Sequence, residues 1–143
     1  MIVRELMTGA VITAPPWMPI LEARNLMIKE RIRHLPVRDP GGKLLGMITD
    51  RDIRLNLPSQ ATSLSVWEIN HLLAKLAVDE VMTQVVITVG PDTPAREAAR
   101  LMVEHRIGAL PVEDGGHLIG IITETDVLRA FIRMDAPVEI RRG

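Results

Sequence analysis

The feature that most constrains this 143-residue chain is an internal duplication. Val3 to Asp52 lies over Val78 to Asp126 with a constant offset through Asp39 and Asp114, and Pro40 is the one extra residue of the first copy. Of the 49 paired positions, 26 are identical. Whatever fold satisfies one copy must satisfy the other. The chain is therefore expected to hold two copies of one supersecondary unit, packed about a pseudo-two-fold axis. The functional question narrows to what a cleft between two such copies can hold.

Apolar residues make up 47% of the chain, but only Trp17, Trp67 and Phe131 are aromatic. The core is expected to be aliphatic, with Met7, Met27, Met47, Met82 and Met102 filling gaps as flexible thioethers do. The 17 basic and 18 acidic residues leave a net charge of −1, which gives no overall footprint for nucleic acid. Cysteine is absent, so disulfides and thiolate metal sites are excluded. The first residues lack the basic start and continuous apolar run of a secretion signal. No stretch approaches the roughly 18–20 apolar residues of a membrane span. These features lead to the expectation of a soluble cytoplasmic protein.

Each copy reads as β-α-β-β-α. In the first, Val11 to Ala14 is a short strand ended by Pro15-Pro16. Pro19 suits the first turn of a helix, where its missing N–H costs little. Leu21, Ala23, Leu26, Met27 and Ile32 give a helical stripe. His34 to Arg38 and Leu44 to Ile48 read as strands around the turn Pro40-Gly41-Gly42, and a helix starts near Thr49. The second copy repeats this with a strand at Val85 to Val89 and a helix opened by Thr93-Pro94, Thr93 serving as N-cap. Strands at Leu110 to Glu113 and Leu118 to Ile122 and a helix from Thr123 follow. Between the copies, Pro58 to Ser63 is a loop. Ser65 with Glu68 has the form of a capping box before an amphipathic helix through Ile69, Leu72, Leu73 and Leu76. The division is residues 1–57, a connector at 58–77, residues 78–133 and a tail at 134–143, in a mixed α/β fold.

The strongest local signal is the junction Gly46-Met47-Ile48-Thr49-Asp50-Arg51-Asp52, matched by Gly120-Ile121-Ile122-Thr123-Glu124-Thr125-Asp126. Thr-x-x-Asp at the start of a helix resembles a capping box on structural grounds alone. It also sets free N–H groups, a hydroxyl and a carboxylate where a phosphate and a ribose would meet them. A second signal precedes the Leu-Pro-Val strands: Arg33-His34 in one copy, Gly108-Ala109 in the other. Two sites built from these copies cannot be equivalent. Arg33 offers a forked donor for phosphate and His34 another.

Taken together, Ile-x-x-Leu-Pro-Val, the Gly-rich turn and the Gly-x-x-Thr-x-x-Asp junction occur twice, in order, over nearly the whole chain. In this the chain resembles a tandem pair of cystathionine-β-synthase (CBS) domains, also called a Bateman module. The resemblance implies two β-α-β-β-α repeats, usually dimerised into a disc, that bind AMP, ADP, ATP or S-adenosylmethionine in clefts between the repeats. Carried over, it implies Asp52 and Asp126 as ribose acids, Thr49 and Thr123 near the phosphates, and Arg33 and His34 as basic phosphate ligands. Gly108 and Ala109 stand at the same place without charge. Thr13, Ala14, Thr88 and Val89, with Leu35, Pro36, Leu110 and Pro111, would enclose the adenine, and Met47 and Ile121 would add apolar contact.

No catalytic set is evident. The histidines His34, His71, His105 and His117 include no i,i+4 pair, and there is no phosphate-binding Gly-Lys-Ser/Thr loop. The reading is a regulatory module that binds an adenosine-containing molecule, performs no reaction and reports to an unidentified effector protein, as a homodimer. Its rivals are a structural dimerisation module with empty clefts, a nucleotide hydrolase and a nucleic-acid-binding regulator. Trp17 and Trp67 are candidate interface anchors, the alternative being that they cover the ends of the core.

Overall fold

Residues 1–57, 64–84 and 87–134 are described in the computed structural model of the chain. The expected loop at Pro58 to Ser63, the start of the second-copy strand at Val85-Val86 and the tail from Asp135 lie outside those residues. In chain order the elements are α1 (Val3–Leu6), α2 (Ile20–Glu30), β1 (His34–Arg38), β2 (Leu44–Thr49), α3 (Asp50–Leu55) and α4 (Val66–Lys75). They continue with α5 (Val78–Val81), α6 (Ala95–His105), β3 (Ala109–Asp114), β4 (His117–Thr123) and α7 (Glu124–Met134).

The compact units cut the chain differently from the repeats. One comprises Val11–Val86 with Gly115–Leu118; the other comprises Met1–Ala10, Ile87–Asp114 and Ile119–Gly143. Each unit thus takes its leading segment from the other repeat. Short helices α1 and α5 head those segments, and the sequence reading did not include them. Their signal is present in both copies: the Glu5 carboxylate accepts from the Ile2 N–H (3.2 Å) and the Glu80 carboxylate from the Ala77 N–H (2.8 Å). Val3 and Val78, at the first position of each helix, are fully buried.

In the unit around the first copy, β1 and β2 pair antiparallel, with His34 opposite Thr49, Leu35 opposite Ile48 and Pro36 opposite Met47. Thr83 adds a backbone pair to the far side of β2, its N–H donating to the Met47 carbonyl (2.9 Å) and the Met47 N–H to its carbonyl (3.0 Å). That approach requires Gly46, because a Cβ there would stand 2.6 Å from the Thr83 carbonyl oxygen. The core joins Ala14, Ile20, Ala23, Met27, Leu35, Val37, Ile48, Ile53, Leu73 and Val78. Leu73 belongs to α4, so the connector helix is part of this core rather than a spacer.

In the unit around the second copy, β3 pairs with β4. Thr8 makes the equivalent two bonds with Ile121 on β4 (2.9 and 3.0 Å). The core joins Val3, Val89, Ala98, Met102, Leu110, Val112 and Ile122. Both cores are aliphatic. Met27, Met47 and Met102 are buried, and Met7 and Met82 pack at the core margins.

Several local expectations are corrected. Val11 to Ala14 contributes a single bridging residue, Ala14, whose N–H donates to the Pro36 carbonyl and whose carbonyl accepts from the Arg38 N–H. Pro15, which has no N–H, ends the ladder there. Val89 does the same against Val112. The caps of α2 and α6 are Pro19 and Pro94, one residue before each helix, and neither makes a side-chain cap bond. Thr93 is therefore not an N-cap. Its hydroxyl accepts from the Gly90 N–H (3.0 Å) and closes the turn before α6. Both helices end on an arginine in the left-handed region, Arg31 at φ 57° and Arg106 at φ 53°, where glycine is the usual occupant. Trp17 and Trp67 are exposed, with the Trp67 ring stacked on His71 at 5.2 Å, so neither closes off a core.

Candidate functional site: two half-sites of unequal charge

Each repeat brings its predicted site residues together within one unit. In the first copy the β1–β2 ladder sets His34 across from Thr49, and Thr49 is the cap of α3. Its hydroxyl oxygen accepts from the Asp52 N–H (3.1 Å), and Asp52 Oδ2 accepts from the Thr49 N–H (2.9 Å). This is a reciprocal capping box with aspartate in place of glutamate. Among the described residues, Asp52 Oδ1 has no partner, and the Thr49 hydroxyl hydrogen is free to donate. Arg33, immediately before β1, is exposed; His34 is half-buried. Thr13 is half-buried beside Ala14, which bridges to Val37 at the inner end of the same ladder.

The second copy keeps this frame. The Thr123 N–H donates to Asp126 Oδ2 (2.8 Å), and the Asp126 N–H to Thr123 Oγ1 (3.3 Å). Here the Thr123 hydroxyl is itself a donor to Asp126 Oδ2 (3.0 Å), so its hydrogen is already used. The Gly108 carbonyl accepts from the Glu124 N–H (3.0 Å), and Ala109 is buried at the start of β3. Thr88 is half-buried, next to Val89, which bridges to Val112. Ile121 is half-buried and backbone-paired to Thr8.

Leu35, Pro36, Leu110 and Pro111 are buried, and Leu35 and Leu110 belong to the two cores. Less than 2% of each of these residues is accessible, backbone and side chain together. Met47 is likewise buried. The polar equipment is therefore unequal. The first half-site has a spare hydroxyl donor, a spare carboxylate oxygen and the guanidinium of Arg33. The second has only Asp126 Oδ1 and no positive side chain at the matching positions. Both retain the acceptor that a ribose hydroxyl needs.

A concavity of about 540 Å³ lies in the first-copy unit, between α2, α3 and α4. Arg24, Arg31, Arg33, Arg54 and Asp50 line it. The Arg24 Nη2 donates to Asn70 Oδ1 (2.9 Å), but its Nε is buried without an acceptor. An unmet buried donor costs on the order of 1–3 kcal/mol. The sequence reading did not single out Arg24, Arg31 or Arg54. Their signal is in the repeat, where Arg24 and Arg54 stand against Ala99 and Leu128.

Comparison with known proteins adds the family. The CBS domain model matches residues 3–59 and 78–133. A CBS domain-containing protein of Dictyostelium discoideum is 34% identical over 138 residues, covering 96% of this chain and 95% of that protein. The L-aspartate semialdehyde sulfurtransferase of Methanocaldococcus jannaschii is 34% identical over 133 residues, but the chain spans only 23% of its length. Among solved structures, a CBS domain pair in complex with 5′-methylthioadenosine and S-adenosyl-L-methionine superposes with a TM-score of 0.76 at 33% identity, covering 92% of this chain and 99% of that one. A second, CBSX2 in complex with AMP, gives a TM-score of 0.77 at 29% identity, covering 94% and 98%.

Proposed function

The chain belongs to the CBS-domain family, and from that premise we propose that it is a regulatory module that binds an adenosine-containing small molecule and performs no reaction. The observation that carries this reading is the pair of capped Thr-x-x-Asp junctions. Each keeps a carboxylate oxygen unused by its own helix. The similar CBS pairs hold AMP, 5′-methylthioadenosine and S-adenosyl-L-methionine, which share an adenosine.

In the proposed mode, Asp52 accepts from ribose hydroxyls through Oδ1, the Thr49 hydroxyl donates to the ligand, and Arg33 with His34 faces its anionic end. Asp126 plays the ribose role in the second copy, where Gly108 and Ala109 leave no cation for a phosphate. The first half-site then suits a nucleotide, and the second an adenosyl compound of lower negative charge. Regulation follows if the ligand binds one conformation of the chain better than another. A micromolar ligand contributes about 8 kcal/mol in all, so a coupling of about 1–3 kcal/mol to an effector protein is attainable.

The test is a thermal-shift panel of AMP, ADP, ATP, S-adenosylmethionine and 5′-methylthioadenosine against guanosine counterparts. A ligand at 100 times its Kd stabilises the folded state by about 2.7 kcal/mol, a rise of several degrees. Adenosine compounds should raise the melting temperature and guanosine compounds should not. A flat panel would sink the reading.

We also propose a homodimer. Val103 on α6 and Leu128, Phe131 and Ile132 on α7 expose large apolar surface, all more than 60% accessible. Such a patch on helices is the kind of surface a second chain covers. Light scattering during gel filtration would return twice the 15.9 kDa chain mass; a monomer at all concentrations would refute it.

A further inference from the structure

The arginine-lined groove of the first-copy unit adjoins the Thr-Asp junction at Asp50 and shares Arg33 with the phosphate end proposed above, but Thr49, Asp52, Thr13 and Ala14 do not line it. Its floor is apolar, with Met27, Ile53 and Leu73 all buried. Four arginines and one aspartate are among the residues that line it, a formal charge of +3. Like charges are not gathered around an apolar floor by packing alone, since each repels the others and gains nothing from the floor. Arg24 is anchored in the groove wall, its Nη2 held by Asn70 and its Nε buried without an acceptor.

The second copy is the internal control. At the positions equivalent to Arg24, Arg33 and Arg54 it carries Ala99, Gly108 and Leu128. Only Arg31, matched by Arg106, is common, and that residue caps its helix in both. The scaffold therefore does not require three of the four arginines. They are additions to one copy, and they fall on one groove.

We propose that this groove binds a small organic phosphate, a molecule with a dianionic phosphoryl group and an apolar or ring-shaped body. Guanidinium groups take the phosphoryl oxygens by forked, charge-assisted hydrogen bonds. The body lies on Met27, Ile53 and Leu73. A volume of about 540 Å³ is in the range of small-molecule sites and exceeds what an inorganic phosphate fills. Charge selects the ligand's head and the floor its body.

The experiment is calorimetric titration of the full chain with phenyl phosphate, inorganic phosphate and adenosine, repeated on the double variant Arg24→Met, Arg54→Met and on Arg96→Met, at an exposed arginine of α6 in the other unit. The expected result is saturable binding of phenyl phosphate, about tenfold weaker binding of inorganic phosphate, and weakening as sodium chloride rises. The double variant should lose at least tenfold in phenyl phosphate affinity. Arg54→Lys, which keeps the charge, should lose less. Circular dichroism melts of each variant separate a lost site from a lost fold, and Arg54→Met alone serves if the pair does not fold. Arg96→Met, which removes a charge outside the groove, should bind phenyl phosphate as the unaltered chain does. The proposal is overturned by no saturation at millimolar phenyl phosphate, by unaltered affinity in the folded groove variants, or by an equal loss of affinity in Arg96→Met. Failure of adenosine to bind, with phenyl phosphate binding intact, would refute the proposed function and leave this site standing.

Discussion

At the entrance to β1 the first copy carries Arg33-His34; at the entrance to β3 the second carries Gly108-Ala109. One turn into the helices that follow, the copies agree again, with Asp52 and Asp126 bonded to the backbone of Thr49 and Thr123. The glycines that admit the leading segments, Gly46 and Gly120, also agree. What the copies share is what each needs in order to fold. What differs at the strand entrance is positive charge, which folding does not need, so that difference is where functional specialisation is to be sought. The helix faces continue the pattern: arginines at positions 24 and 54 of the first copy stand against alanine and leucine in the second.

The largest expected effect breaks the copies' structural equivalence. A Cβ on residue 46 would lie 2.6 Å from the Thr83 carbonyl oxygen, which is backbone, and 2.7 Å from Met82 Sδ. At residue 120 the closest atom is Met7 Sδ at 2.6 Å, with the Thr8 carbonyl oxygen at 3.0 Å. A methionine side chain can move aside and a paired carbonyl cannot. Gly46→Ala should therefore cost about 3 kcal/mol and Gly120→Ala about 1–2 kcal/mol, the range of overpacked sites. Urea denaturation measures both, and equal losses would show that the two leading segments are held alike.

Next is the difference in charge. Arg33→Gly makes the first copy match the second at that position. It should weaken AMP binding by about 1.5–3 kcal/mol, as loss of a charged hydrogen-bond partner does, and leave 5′-methylthioadenosine binding unchanged. Equal loss for both compounds would mean that Arg33 acts on the fold rather than on phosphate.

The caps should behave alike. Thr49→Ala and Thr123→Ala each remove a side-chain acceptor at a helix start, at a cost of about 1 kcal/mol in chemical denaturation. A neutral result in either would show that its box is not needed to hold the helix. A smaller effect, of opposite sign, is expected at the ends of α2 and α6. Arg106→Gly relieves a left-handed arginine and should raise stability by up to about 1 kcal/mol. A loss would mean that the Arg106 side chain contributes more than its backbone costs.

The smallest effect belongs to the exposed cluster on α6, where Arg100 bonds Glu97 and Glu104. The bond from Arg100 holds the Glu97 carboxyl below its ordinary range. A depressed carboxyl stabilises above its unfolded pKa, and that contribution disappears as pH falls through the folded value. Both groups are exposed, so Arg100→Ala should leave the melting temperature at neutral pH unchanged within error. A clear drop would show that the cluster is not a solvated surface feature.

Much of this was legible in the chain because duplication doubles every signal. The strands at Leu35-Pro36-Val37 and Leu110-Pro111-Val112, the hairpin turns and the Ser65 cap all follow from local patterns, and Ser65 does accept from the Glu68 N–H. The leading helices were missed because four residues carry too little periodicity. Their mark is a glutamate reaching back to the N–H three residues earlier, not an apolar stripe. The exchange of leading segments between units was illegible for a different reason. It is a long-range pairing, and Gly46 and Gly120 indicate that something approaches closely without saying what. Those glycines also change the weight of the repeated junction: each of its four shared residues, Gly, Ile, Thr and Asp, has a structural task in both copies. The functional reading of Asp52 and Asp126 rests on the second carboxylate oxygen, not on the recurrence of the motif. The arginine groove escaped notice because α2 and α3 bring positions 24 and 54 together only in three dimensions.

The most direct test of the account is calorimetric titration of the chain and of Asp52→Asn with AMP. Asparagine can still accept from the Thr49 N–H, so the cap of α3 and the melting temperature should persist while the charge is lost. The account predicts saturable binding by the unaltered chain and about tenfold weaker binding by the variant at equal stability. Absence of saturation, or equal affinity in the two proteins, would contradict it.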